Sequence, residues 1–274
     1  MDAKTYLQSL GLTAKRRFAQ NFLTDASDLC FIADALEIAP SERVLEIGPG
    51  LGALTGFLLD KGLRVAAVEK DRSFTIHLRK HFEGRPLEVY CTDILTFDLT
   101  RDLGTEAPSA AVGNIPYNIT SPILFWLVAQ RATVRYAVLT VQKEVAERIT
   151  GTPGHEAWGA ISVSLQTYAD MKLLRIIPKS HFYPVPKVDS AVIRLDFLPL
   201  PRYDPGTGEL FHEIVARAFQ KRRKTLLNAL EDADKGRGKA LLLDVFTALG
   251  IDPKRRPETL AVSEWVLLAR QLSK

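Results

Sequence analysis

Asn114, Pro116 and Tyr117 place a polar side chain, a stiffened turn and an aromatic ring directly after the apolar run of residues 110–112. The side-chain oxygen of Asn114 and the carbonyl of Ile115 can accept the two hydrogens of an exocyclic amine on a purine. Such acceptors favour a more tetrahedral nitrogen, which an aryl amine needs in order to attack an electrophile. Tyr117 can stack on the base and hold it there. The segment therefore predicts methyl transfer to an aryl amine, driven by orientation and electrostatics without a separate general base.

A glycine-rich turn and two acids predict a nucleotide-type cofactor beside this segment. Gly48, Gly50 and Gly52 follow an apolar strand and precede a helical stretch. Glycine lets the backbone turn sharply and approach a ligand closely, and the amides at a helix start can face its polar groups. Glu69 ends the next strand, where its carboxylate can accept hydrogen bonds from both ribose hydroxyls. Asp93 ends a third strand and is placed to meet an adenine amine.

Two simpler interpretations compete with these assignments. Dinucleotide-binding enzymes share a glycine turn followed by an acid, but their spacing is G-x-G-x-x-G, whereas this chain has G-x-G-x-G. Asp93 alone can be a loop cap, and the N-I-P-Y segment can open a helix capped by Asn118 or Ser121. The combination of Asp93 with Glu69 and the glycines favours the adenosine site.

Short β-branched runs alternate with amphipathic helical stretches from residue 41 onward, which predicts parallel strands joined by crossover helices. Five such strands are expected, at residues 44–47, 65–68, 89–90, 110–112 and 136–141. Two further strands are expected at 173–177 and 188–197, with no long helix between them, so they are predicted to form an antiparallel hairpin at the sheet edge. The polar residues above follow the first four strands, and the carboxyl ends of parallel strands meet at one edge.

A Pro- and Gly-rich segment, Pro199–Gly208, follows the last predicted strand and indicates a linker. Apolar residues recur with a helical period around Phe211–Phe219 and Leu241–Leu249, and Gly250 is expected as a C-cap. The predicted domains are therefore residues 1–200, which bind the cofactor and carry the chemistry, and 201–274, a small helical domain. The formal charge of +4 arises in the second, which has 14 basic and 10 acidic residues.

Seven ordered motifs across nearly the whole chain resemble the small-subunit ribosomal RNA adenine N6,N6-dimethyltransferases of the KsgA/RsmA type. The motifs are KRRFAQNFLTD (15–25), LEIGPGLGALT (45–55), VEKD (68–71), GNIPYNITSPILF (113–125), VQKEVAERI (141–149), FYPVPKVDSAVIRL (182–195) and AFQKRRKTLLNAL (218–230).

The resemblance implies an α/β fold, with a Rossmann-like seven-stranded class I methyltransferase sheet and a small all-helical C-terminal domain. It implies S-adenosylmethionine as cofactor, converted to S-adenosylhomocysteine, and Phe182 as a second stacking residue. The cofactor-binding residues expected from the resemblance and from the glycine turn are Asn21, Leu23, Gly48, Gly50, Glu69, Asp93 and Asn114.

The implied substrate is a pair of adjacent adenosines in a hairpin loop near the 3′ end of 16S ribosomal RNA, within an immature 30S-like particle. Such a loop suits recognition by stacking and base extrusion, with basic residues along the backbone. The expected phosphate contacts are Lys15, Arg16, Arg17, Lys143, Lys179, Lys187, Lys221, Arg222, Arg223 and Lys224.

We expect a cytoplasmic monomer with a role in small-subunit biogenesis. No run has the roughly 18 to 20 apolar residues of a membrane span. No metal is expected, because Cys30 and Cys91 lack a metal-ligand spacing, and both are expected to pack as small buried hydrophobes.

Three other functions stay open from the sequence. Related enzymes methylate large-subunit RNA, and a non-catalytic ribosome-assembly factor could use the same fold. A DNA adenine methyltransferase would share the glycine turn, but Ile115 replaces the first proline of its usual tetrapeptide. Trp158 stands where relatives often carry Tyr, which predicts an altered surface or substrate contact near the sheet edge.

Overall fold

The computed structural model describes residues 3–9, 11, 20–104, 106–221, 224–231 and 238–274. The chain forms two compact units. The first comprises Met1–Ala146 with Met171–Phe197, and the second comprises Glu147–Asp170 with Leu198–Lys274. The break between residues 197 and 198 lies close to the predicted linker. The grouping of residues 147–170 with the C-terminal helices was not predicted from the sequence.

A seven-stranded sheet forms the centre of the first unit, in the order β4-β3-β2-β5-β6-β9-β7. Strands β2 to β6 pair in parallel, and β9 joins β6 in antiparallel register. All seven predicted strands are present, and the last two are neighbours at the edge as expected. The strands are β2 (Arg43–Ile47), β3 (Arg64–Glu69), β4 (Leu87–Cys91), β5 (Ala110–Asn114), β6 (Tyr136–Gln142), β7 (Ala169–Ile177) and β9 (Ser190–Phe197).

A second, two-stranded sheet was not predicted. Strand β1 (Phe22–Leu23) pairs antiparallel with β8 (Phe182–Tyr183), with Leu23 opposite Phe182. Two-residue strands carry no periodicity, and their partners are far apart in the chain, so sequence pattern gives no signal for them.

Short acidic side chains cap several helix starts of the first unit. Asp25 accepts the N–H of Asp28 at 3.0 Å and Asp71 accepts that of Ser73 at 2.9 Å, so free amides at two helix starts are satisfied. The helices are α1 (Ala3–Ser9), α2 (Ala26–Asp34), α3 (Ala53–Asp60), α4 (Arg72–His81), α5 (Leu99–Leu103) and α6 (Thr120–Ala129), and α7 (Lys143–Thr150) follows β6. Every residue of β2 is buried, including the charged residues Arg43 and Glu46 that flank its apolar centre.

Helices make up the regular structure described in the second unit beyond residue 197, as predicted. They are α9 (Gly208–Gln220), α10 (Leu226–Glu231), α11 (Lys239–Leu249) and α12 (Val262–Leu272), and α8 (Ala160–Gln166) belongs to the same unit. Gly250 caps α11 in the left-handed conformation, as the sequence indicated. Within the described residues, no helix is long and apolar enough to span a membrane.

Two expectations about burial were wrong. Trp158 is fully buried in the core of the second unit, where its indole N–H donates to the Leu260 carbonyl at 3.2 Å, so it makes no surface contact. Its ring packs among the helices of the second unit. The sequence pattern did not indicate that residues 147–170 pack with those helices. Cys30 and Cys91 are both exposed rather than buried.

Candidate active site

A cavity of about 570 Å³ opens at the carboxyl ends of β2, β3 and β5, where the order of the sheet reverses direction. This switch point is where open α/β sheets bind ligands. The described residues that line the cavity all belong to the first unit. They include nine of the predicted site residues: Asn21, Leu23, Gly48, Gly50, Glu69, Asp93, Asn114, Ile115 and Tyr117.

The glycine turn forms one wall, and its sequence is dictated by close packing. Gly50 has φ +56°, and a Cβ at this position would lie 2.9 Å from the Phe22 ring. Gly52, at φ +84°, begins α3, and a Cβ there would lie 2.6 Å from the Phe82 ring. Side chains other than hydrogen would be strained and would clash. The wall therefore presents main-chain atoms to the cavity.

Glu69 lies at the end of β3 and is tied to the glycine turn. Its carboxylate accepts the N–H of Gly50 at 3.1 Å and that of Asp71 at 2.7 Å. Burial raises the pKa of Glu69, and these two N–H donors oppose that effect. The side chain is thereby held in one orientation, with acceptor capacity beyond its two main-chain bonds.

Asp93 both caps a turn and lines the cavity, so the two interpretations of this residue are compatible. One oxygen accepts the N–H of Leu95 at 3.1 Å, and the other pairs with the Lys70 ammonium at 2.6 Å. Burial acts to raise the pKa of Asp93, but Lys70 and the Leu95 N–H outweigh it and the pKa is lowered. The carboxylate is therefore ionised at neutral pH, and its cation Lys70 also lines the cavity.

Asn114 ends β5 beside these groups. Its side-chain N–H donates to the Asn21 carbonyl at 2.7 Å, which connects the segment before β1 to the end of β5. With the amide nitrogen committed to this bond, the amide oxygen is the atom available as an acceptor. Ile115 follows, its N–H bonded to the Thr140 carbonyl at 3.0 Å.

Tyr117 lies in the short turn after β5, and its hydroxyl is 2.6 Å from the Ser190 hydroxyl. The ring is partly exposed and lines the cavity. Burial raises the pKa of Tyr117, against a smaller opposite effect of Ser190, so the phenol is neutral at physiological pH. A neutral ring fixed at its far end is suited to stacking.

Among the predicted catalytic and cofactor-binding residues, Phe182 is the one that does not line the cavity. Its side chain is 2% exposed and belongs to the core cluster that contains Leu23. Pairing of β8 with β1 places the ring in this core, so its position does not support the predicted stacking role.

The model of the ribosomal RNA adenine dimethylase family matches residues 11–274 of this sequence. The chain belongs to this family. The family predicted from the seven motifs is thus confirmed, and the protein is a methyltransferase of the ribosomal RNA adenine dimethylase family.

Several proteins named ribosomal RNA small subunit methyltransferase A are similar over nearly their whole length. The protein of Geobacter metallireducens is 41% identical over 269 residues, covering 96% of this chain and 96% of its own. That of Myxococcus xanthus is 42% identical over 268 residues, covering 97% and 93%.

Two solved structures of rRNA-modifying or related enzymes share the fold. A dimethyladenosine transferase from Plasmodium falciparum has a TM-score of 0.76 at 26% identity, covering 90% of this chain and 95% of its own. The 23S rRNA methyltransferase ErmE has a TM-score of 0.73 at 28% identity, covering 92% and 100%. The predicted class I methyltransferase fold is confirmed by this similarity.

Several cavity residues of this family member were missed by sequence analysis, among them Gln20, Phe22, Glu46, Lys70 and His81. Glu46 is 1% exposed, and burial raises its pKa to about 8, with the Thr55 hydroxyl opposing and the Glu69 charge adding to the effect. Thr55 donates to its carboxyl group at 2.6 Å. The signal for Glu46 was an acid inside an otherwise apolar strand. Phe22 had no signal, because its contact with Gly50 is made only in the folded chain.

Two of the predicted RNA-contacting lysines bond through their main-chain N–H groups to Asp189, the residue before β9. The N–H of Lys143 donates to the Asp189 carbonyl at 3.0 Å, and that of Lys179 to its carboxylate at 2.9 Å. Lys187 precedes Asp189 by two positions in the chain. The next residue, Ser190, bonds to Tyr117, so these lysines are connected to the cavity through one strand end.

Two further predicted basic contacts do not belong to the first unit. Lys221 and Lys224 belong to the second unit, where the Lys224 N–H donates to the Lys221 carbonyl at 2.8 Å. Lys15, Arg16, Arg17, Arg222 and Arg223 lie outside the described residues.

One group of possible metal ligands occurs among the described residues. Atoms of Asp25, Asp28 and His181 lie within 4.8 Å of one another. Asp28 already pairs with the Arg175 guanidinium at 3.2 Å and with His181 at 2.7 Å, and Asp25 caps α2. These partners account for the group without an ion.

Proposed function

We propose that this protein transfers methyl groups from S-adenosylmethionine to N6 of two adjacent adenosines of small-subunit ribosomal RNA. The observation that carries the proposal is that Asn114 and Tyr117 line the same cavity as Glu69 and Asp93. The residues assigned to the cofactor's adenosine and those assigned to the target amine thus line one cavity. The small subunit is inferred from the names of relatives that are 37–42% identical over nearly their full length.

The residues of the cavity fit S-adenosylmethionine. We assign the ribose hydroxyls to Glu69 and the adenine amine to Asp93, whose carboxylates are held in place by main-chain N–H donors. At Gly50 the glycine turn has no Cβ, and this leaves space for the Phe22 ring that packs against the turn. We assign Asn21, Leu23 and Gly48 to the same cofactor site. S-adenosylmethionine supplies a methyl group that is already activated by the sulfonium centre.

The protein then has to orient the target nitrogen and stabilise its developing charge. The Asn114 oxygen accepts one N6 hydrogen, and its nitrogen is anchored on the Asn21 carbonyl, so the acceptor is held before the base arrives. The Ile115 carbonyl is assigned the second hydrogen. Tyr117 stacks on the extruded base. Once the nitrogen has gained the methyl group, its acidified proton passes to solvent water, so the residues need only position and polarise the nitrogen.

Substrate binding is assigned to basic residues along the RNA backbone. The main chains of Lys143 and Lys179 bond to Asp189, one residue from the partner of Tyr117, and Lys187 lies two positions before Asp189 in the chain. Their cationic side chains are assigned to phosphates that flank the extruded adenosine. The working form is proposed to be a cytoplasmic monomer that acts on an immature 30S-like particle.

Tritiated methyl transfer to immature small subunits, large subunits and duplex DNA tests the proposal. The expected result is label on small subunits alone, approaching two methyl groups on each of two adenosines. Asn114→Ala and Tyr117→Ala should abolish it, while Gln271→Ala, an amide truncation on α12, should not. Label on DNA, or no label on any RNA, would contradict the proposal.

A second candidate substrate is large-subunit RNA, favoured by the similarity to ErmE. The same assay separates the two, because the label would then appear on large subunits. Transfer to neither subunit, together with binding to small subunits, would instead indicate a non-catalytic assembly factor.

A further inference from the structure

A buried serine contacts the aromatic ring assigned to the target base. Ser190 is fully buried at the start of β9, and its hydroxyl is 2.6 Å from that of Tyr117. A buried hydroxyl without a partner costs about 1–3 kcal/mol, so each of these two groups satisfies the other. Ser190 is not among the residues that line the cavity.

The contact joins parts of the molecule that are distant in sequence and separated in the sheet. Tyr117 follows β5, whereas Ser190 lies on β9, and β6 runs between the two strands. The two residues are 73 positions apart. Local turn geometry therefore does not create the contact, and the sheet has to bring the hydroxyls together.

The start of β9 is held firmly at this point. Ser190 is in register with Gln142 of β6, and the preceding residue, Asp189, accepts the main-chain N–H groups of Lys143 and Lys179. Ser190 thus offers a fixed anchor. The phenol oxygen of a tyrosine lies on the axis of χ2 rotation, so a hydrogen bond there restricts χ1 and fixes the direction in which the ring points.

We propose that Ser190 is a positioning residue, which fixes the position of the Tyr117 ring so that the target adenine stacks with its N6 aimed at the methyl donor. This inference rests on the proposed function and adds a residue to it. Ser190 touches neither cofactor nor base. It acts through Tyr117, and losses from displaced reacting groups appear in the catalytic rate.

Steady-state methylation of saturating immature small subunits by the full-length protein tests this role. Ser190→Ala and Tyr117→Phe each remove one hydroxyl of the pair and should each lower kcat about tenfold, the effect of one lost positioning hydrogen bond. The double variant should be no slower than either single variant, because both changes break the same contact. Ser190→Thr keeps the hydroxyl and should recover activity to within about threefold of wild type.

Calorimetric titration with S-adenosylhomocysteine and thermal unfolding serve as the companion measurements. All four variants should bind S-adenosylhomocysteine as wild type does, because Ser190 lies outside the cavity lining and Tyr117→Phe keeps the ring that is assigned to the target base. An unchanged kcat in Ser190→Ala, multiplicative losses in the double variant, or a loss confined to cofactor affinity would each overturn the proposal. Wild-type protein that transfers no methyl group to small subunits would overturn the proposed function and this inference with it. Active wild type with an unaffected Ser190→Ala overturns the inference alone.

Discussion

At the scale of single residues, the cavity contains an ion pair at Asp93, the residue assigned to the adenine amine in the proposed function. Both Asp93 oxygens already have donors, the Leu95 N–H and the Lys70 ammonium. An adenine amine that donates to Asp93 shares or displaces Lys70. An exposed pair of this kind is worth roughly 0–1 kcal/mol and is weakened by salt.

Lys70→Met should therefore tighten S-adenosylhomocysteine binding by up to about fivefold at low salt, because the competing cation is gone. It should also remove the salt dependence of that affinity. Titration calorimetry across a range of NaCl concentrations measures both. Lys61→Met is the matched control, since Lys61 pairs with Asp34 outside the cavity lining. Weaker binding by Lys70→Met would mean that the ammonium contacts the cofactor itself.

Glu46 makes the stability of the fold depend on pH. Burial raises its pKa from 4.5 to about 8. Between these values the folded chain keeps a proton that the unfolded chain releases, so the free energy of unfolding falls as pH rises through this window. The contribution of the protonated group is complete below pH 4.5 and is lost above about 8.

Glu46→Gln stays neutral at every pH and can still accept the Thr55 hydroxyl. Its stability relative to wild type should therefore increase steadily from pH 5 to pH 8. Urea unfolding at four pH values in this range measures the difference. Glu83→Gln, a change at an exposed position after α4, should show no such trend. A constant difference between Glu46→Gln and wild type would indicate that Glu46 is ionised throughout.

At the scale of elements, the Phe22 ring of β1 restricts which residues the glycine turn can contain. Phe22 of β1 packs against Gly50 and makes an edge-to-face contact with Phe74 of α4, with ring centroids 5.6 Å apart. The turn, β1 and α4 therefore form one wall of the cofactor cavity. A change in the turn should affect binding through Phe22 as well as through the backbone.

Gly50→Ala should weaken S-adenosylhomocysteine binding at least tenfold, because its methyl group would meet the Phe22 ring at 2.9 Å. Gly84→Ala is the matched control: its φ is +80°, yet a Cβ there has nothing within 4 Å. Both variants should lose about 1–2 kcal/mol of stability from the left-handed conformation, and only Gly50→Ala should lose affinity. Calorimetric titration with denaturant unfolding separates the two effects. Equal affinities for both variants would exclude the steric role of Phe22.

At the scale of the whole molecule, the described cavity residues belong to one unit and Trp158 to the core of the other. Trp158→Ala should lower the free energy of unfolding by about 3–5 kcal/mol, as expected for a large buried ring. The folded fraction should bind S-adenosylhomocysteine with wild-type affinity. Trp158→Phe retains most of the ring volume, loses the bond to Leu260 and should cost less.

Guanidinium unfolding and calorimetry at a temperature where the variant is folded provide the two measurements. A tenfold loss of affinity in folded Trp158→Ala protein would show that the cofactor cavity depends on the core of the second unit.

The sequence by itself determined the family, the seven strands of the main sheet and the residues that end them. Apolar runs with a regular period mark buried strands, and a polar residue after each strand must reach the carboxyl edge of a parallel sheet. Glu69, Asp93 and Asn114 could thus be assigned to one site before the fold was known. Their roles as ligands remain predictions.

Tertiary structure alone decided the contacts between residues far apart in the chain. The pairing of Tyr117 with Ser190, the packing of Phe22 on Gly50 and the burial of Phe182 and Trp158 leave no periodic signal, because each depends on which elements become neighbours. The grouping of residues 147–170 with the C-terminal helices is of the same kind. The spacing of apolar residues in the sequence indicates which face of an element is buried. Only the folded chain determines which residues that face packs against.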